Sequence, residues 1–104
     1  MSDLIVNNKV EAQTLEWIAT QQQIMQQDLW TLAEINSGSY NVEGVNKVAD
    51  TLAAWSKKLD CELEFIGMPP QDVVDDLGQL NQKPLGRALR LFKRPQAPIQ
   101  VFLC

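Results

Sequence analysis

Ser37 and Ser39 share one turn, Asn36-Ser37-Gly38-Ser39-Tyr40-Asn41, and a serine hydroxyl becomes a nucleophile only beside a base. The chain has no histidine, the usual base near neutral pH and the commonest zinc ligand. Both serines therefore read as turn and capping residues that bond their own backbone. Asp72, Asp75 and Asp76 could offer carboxylates to a cation, and Asp72 and Asp76 would share a face if their stretch were helical. Without flanking ligands they read as a solvated loop. Arg87, Arg90, Lys93 and Arg94 form the only basic cluster. In a strand, Arg87 and Lys93 point one way and Arg90 and Arg94 the other. An anion or nucleic-acid site would want an aromatic platform beside them, so they read as charges defending an edge strand. Cys61 and Cys104 could be redox partners, but their spacing matches no redox or zinc motif, and they read as two buried free thiols. Trp17, Trp30 and Trp55 lie in helical patterns and read as packing residues. No residue is assigned a catalytic, cofactor-binding or metal-ligating role.

Composition bounds the function further. The chain has 104 residues, 45% hydrophobic and 21% charged, with a net charge of −4. That suits a folded domain rather than a disordered segment. The acidic balance disfavours general nucleic-acid binding, which needs excess Lys and Arg at the phosphates. The opening residues, Met1 to Asn8, carry no basic region followed by an apolar core, so no signal peptide is expected. No apolar run approaches the roughly 18 residues of a membrane span. Two cysteines make no disulfide framework. A cytoplasmic protein is the simplest expectation.

The elements follow from periodicity. Residues 9–35 read as helix, opened by Asn8 with Glu11 as a capping box. Ile18, Met25, Leu29, Leu32 and Ile35 would form its buried stripe, and a break or bend is allowed near Thr20. The glutamines around 21–27 read as a solvated face. A second helix spans about 42–59, capped by Asn41, with Val45, Val48, Leu52, Trp55 and Leu59 as its apolar face. Cys61, Leu63 and Phe65 alternate with Glu62 and Glu64, which predicts a half-buried strand. Residues 67–85 carry Gly67, Pro69, Pro70, Gly78 and Pro84 and read as a long connection, with a short helix allowed from Pro70 to Leu77. Gly86 to Arg94 reads as a strand and Pro95 to Pro98 as a turn. Ile99 to Cys104 is nearly all apolar and reads as a central strand, paired with its predecessor in a hairpin. The expected fold is α/β, two N-terminal helices packed on a partial mixed sheet, in one segment spanning residues 1–104. An apolar strand with no polar residue after it gives the chain the look of a cut domain.

The order of these parts resembles a known family. The run Leu32-Ala33-Glu34-Ile35-Asn36-Ser37-Gly38-Ser39-Tyr40-Asn41-Val42-Glu43-Gly44-Val45 is similar to the start of zinc-dependent metallopeptidases and deacylases of the glutamate-carboxypeptidase and acetylornithine-deacetylase type. That pattern is a helix, a Ser-x-Ser turn with a downstream Asn, and Gly just inside the next helix. Val45 to Leu59 resembles the family's second helix and Leu63 to Ile66 its first strand. Gly86 to Leu91 and Arg94 to Cys104 resemble the hairpin that leads into its catalytic centre. The resemblance runs from about Leu15 to Cys104.

In that family the last strand is followed at once by Gly-His-x-Asp-Thr-Val. The His binds zinc and the Asp bridges two zinc ions. The paired Glu residues, one of them the catalytic base, lie further on. This sequence reaches Cys104 before that motif, so none of those roles transfers to a position here. The resemblance implies a truncated N-terminal portion of an incomplete zinc-peptidase catalytic domain. It would be carboxypeptidase-like, inactive by itself, and would belong to a hydrolase with two zinc ions in the full-length parent. Its expected partner is the remainder of that domain, or a copy of itself through the last strand. The alternative is a stand-alone α/β module that oligomerises or binds a partner. An unrelated small α/β protein would differ by leaving Ile99 to Cys104 as an exposed tail.

Overall fold

A computed structural model describes residues Asn8 to Cys104. The reading of the N-terminus as lacking a signal peptide falls mostly on residues 1–7, which lie outside the described residues. The chain divides into two compact units at Glu34 and Ile35.

The first unit is helical. Asn8 caps α1 (Lys9–Thr20), its Oδ1 accepting from the backbone N–H groups of Val10 and Glu11 at 2.7 and 3.1 Å. The single helix expected over 9–35 is divided at Gln21, where the sequence allows a break, into α1 and α2 (Gln22–Ala33). The cause is local. The Thr20 hydroxyl donates to the Trp17 carbonyl at 2.6 Å, and Gln21 N–H turns back to Ile18 O instead of continuing the ladder. The expected buried stripe is not buried. Neither helix has a buried residue, and Ile18, Met25 and Leu29 are exposed.

The second unit begins with the turn 36–41, as expected, and α3 (Val42–Ser56) follows it. Asn41 fastens the entry twice. Its Oδ1 accepts from Gly44 N–H at 3.0 Å, and its Nδ2 donates to the Asn36 carbonyl at 2.7 Å. Gly44 is buried there because the Asn36 carbonyl occupies the space of a Cβ. The innermost face of α3 is Gly44, Ala49, Ala53 and Ser56. The expected Val45-Val48-Leu52-Trp55-Leu59 face flanks it, with Leu52 and Leu59 exposed. Small residues take the centre because they let the helix backbone approach its neighbours closely. A 3₁₀ turn, Lys57–Leu59, ends at Asp60 in the left-handed conformation, φ 49° and ψ 57°.

Four short strands follow: β1 (Glu62–Ile66), β2 (Gln71–Val74), β3 (Leu80–Lys83) and β4 (Ala88–Phe92). They form two antiparallel pairs, β1 with β4 and β2 with β3. The mixed sheet is thus corrected to two antiparallel ones, while the broader α/β class holds. In the first pair Leu63 faces Leu91, Glu64 faces Arg90 and Phe65 faces Leu89. Residues expected to form a loop or short helix, Pro70 to Leu77, instead enter the β2–β3 hairpin, with Val73 opposite Asn81 and Val74 opposite Leu80. Ile99 to Cys104 forms no strand, and the expected hairpin with β4 is not made; β4 pairs with β1, and its other edge is left open among the described residues. Among the described residues Ala49 and Ala53 are the only buried apolar side chains, and the helix that carries them, α3, packs against β4.

Candidate functional site

Ser37 and Ser39 lie exposed in the turn between α2 and α3. The turn is held by Asn41 N–H donating to Gly38 O at 2.8 Å; the serines lie in it as expected, but the cap of α3 is Asn41 rather than either serine. Tyr40, in the same turn, reaches the root of the β2–β3 hairpin. Its hydroxyl donates to Gln71 Oε1 at 3.2 Å, and Lys83 Nζ stands 5.6 Å from the centre of its ring. Sequence reasoning missed this clamp. Gln71 is 31 positions from Tyr40, and no local pattern links them.

The three aspartates separate. Asp72 is in β2, while Asp75 and Asp76 are in the turn that follows. Asp75 builds that turn. Its Oδ1 accepts from Leu77 and Gln79 N–H, each at 2.9 Å, and its Oδ2 accepts from Asn81 Nδ2 at 2.8 Å. The bonds from Gln79 and Asn81, with a smaller one from Leu77, hold its carboxyl below the ordinary carboxylate value. Gly78 completes the turn at φ 76°, a conformation glycine adopts without steric cost. All of Asp75's bonds are satisfied within the hairpin, so it is a structural acceptor.

The basic cluster also resolves into separate tasks. Arg87 meets Asp50 of α3 at 2.6 Å and lies 4.4 Å from the centre of the Phe65 ring. Its backbone N–H donates to Asn46 Oδ1 at 2.8 Å. Arg90 pairs with Glu64 across the β1–β4 ladder at 3.3 Å and covers Phe92 on the same face. Lys93 Nζ donates to the Leu59 carbonyl. Arg94 lies beyond β4 with φ 51°. Three of the four cations thus tie neighbouring elements together.

Cys61 is half-buried and its thiol points to the Ser56 carbonyl at 3.6 Å, whereas Cys104 is exposed. The expectation of two buried thiols is corrected for Cys104. The tryptophans divide likewise: Trp55 is half-buried, but Trp17 and Trp30 are exposed. Trp30 Nε1 donates to Glu34 Oε1 at 2.9 Å. Gln23, Gln26, Gln27, Trp30 and Thr31 line an open depression of about 660 Å³ on α2. These groups offer hydrogen bonds but no acid–base pair.

Among the described residues no group of three or more His, Cys, Asp or Glu side chains could hold a metal ion. No described helix is long and apolar enough to cross a membrane. Comparison with known proteins returned no matching family model, no matching curated protein and no matching solved structure.

Proposed function

We propose that this chain is the N-terminal portion of the catalytic domain of a zinc-dependent, carboxypeptidase-like metallopeptidase or amidohydrolase, without activity of its own. The parent reaction is hydrolysis of an amide next to a free carboxylate, and two zinc ions are bound by residues outside this chain. The observation that carries the reading is the family-like order of residues from about Leu15 to Cys104; the uncovered apolar surface is compatible with it. Two alanines are buried, while Ile99, Val101, Phe102 and Leu103 are 81%, 80%, 88% and 87% exposed. Covering each of those four side chains is worth about 1.5–3 kcal/mol. Together they rival the stability of a whole small domain, about 5–15 kcal/mol. Apolar surface on this scale suits a segment completed by further protein.

The same exposed segment favours a second reading. Ile99 to Cys104 could add to an open edge of the two-stranded β1–β4 sheet in another copy, as a stand-alone module that oligomerises. An unrelated small α/β protein with an apolar tail would expose the same residues. The exposed, strandless run Ile99 to Cys104 is the outcome expected of that unrelated protein and counts toward it, so the first reading stands on the resemblance alone.

Two measurements test the proposal. Intact mass of the native protein is expected well above 11.7 kDa, the mass of this chain, and a species at 11.7 kDa would favour the module. The isolated chain, titrated calorimetrically with zinc and offered peptides with C-terminal glutamate, is expected to bind no zinc at micromolar concentration and hydrolyse nothing. Binding accompanied by hydrolysis would overturn the claim that it is inactive alone.

A further inference from the structure

We draw no further inference here: the strongest candidate, the apolar surface patch of Val74, Leu77 and Leu80 at the tip of the β2–β3 hairpin, is unpartnered, and nothing in the structure shows what covers it.

Discussion

Asp75 is the residue whose protonation the fold feels most directly, because two backbone N–H groups and one side-chain amide converge on its carboxylate. Its pKa is lowered in the folded chain, so it binds its proton less readily there than in the unfolded chain. The stability it contributes is therefore fully present above the ordinary carboxylate value of about 3.9 and is lost as pH falls through the lower folded value. Protection of the Leu77 and Gln79 amide hydrogens, measured by NMR relative to their intrinsic exchange at each pH, should fall over that acid window. Asp75→Asn should abolish the pH dependence, since the uncharged side chain does not titrate. A protection profile with the same acid dependence in the variant would remove Asp75 as its cause. A steric prediction concerns Gly44. A methyl group there overlaps the Asn36 carbonyl, a backbone atom that cannot swing aside. Gly44→Ala should cost about 3 kcal/mol, the upper part of the overpacking range, despite alanine's better helix propensity. Urea unfolding measures it, and an unchanged midpoint would show that the 36–41 turn yields freely.

At the scale of elements, helix boundaries were legible because they are written in adjacent residues. Asn8 and Asn41 are followed at once by the N–H groups they cap, and Thr20 carries the hydroxyl that breaks its own helix. Asn41→Ala should accordingly cost about 1–2 kcal/mol, because it removes the cap of α3 and frees the Asn36 carbonyl. Asn41→Asp should recover part of this, since it keeps the acceptor for Gly44 N–H but not the donor. Equal thermal denaturation midpoints for the two variants would mean that the donor alone matters. The β2–β3 hairpin was not legible. Gln71-Asp72-Val73-Val74 and Leu80-Asn81-Gln82-Lys83 have no apolar alternation, and Pro70 with Gly78 imitates the ends of a short helix. What decides for the hairpin is the Asp75 carboxylate folding back on Leu77, Gln79 and Asn81, with the Tyr40 clamp at its root. The pairing of β4 was misread for a related reason. Alternation identifies a strand, but partner choice depends on which apolar faces meet, and β4 meets β1 across Leu63–Leu91 and Phe65–Leu89. The candidate site was legible only as a set of exclusions, since a missing histidine can be read from composition and a clamp between Tyr40 and Gln71 cannot.

Across the whole molecule, the apolar run Ile99 to Cys104 met the composition of a central strand without becoming one. A strand needs a neighbouring backbone to complete its hydrogen bonds, and the β1–β4 and β2–β3 ladders do not include this run. Gln100 instead donates to the Ala97 carbonyl at 2.6 Å, gathering the preceding turn and leaving Val101, Phe102 and Leu103 in solvent. Such a run should drive the isolated chain to associate, and the form of association separates the functional readings. Sedimentation velocity on the 104-residue chain should show species heavier than 11.7 kDa, and the double variant Phe102→Asp, Leu103→Asp should return it to monomer with unchanged far-ultraviolet circular dichroism. A heterogeneous size distribution in the unaltered chain favours a segment deprived of its cover. One sharp dimer favours an oligomerising module whose partner strand is another copy of itself. A chain that stays monomeric at high micromolar concentration, with or without the two aspartates, would show that these side chains need no cover. The argument from exposed apolar surface to a larger catalytic domain would then fail, and the unrelated small protein would be left as the better reading.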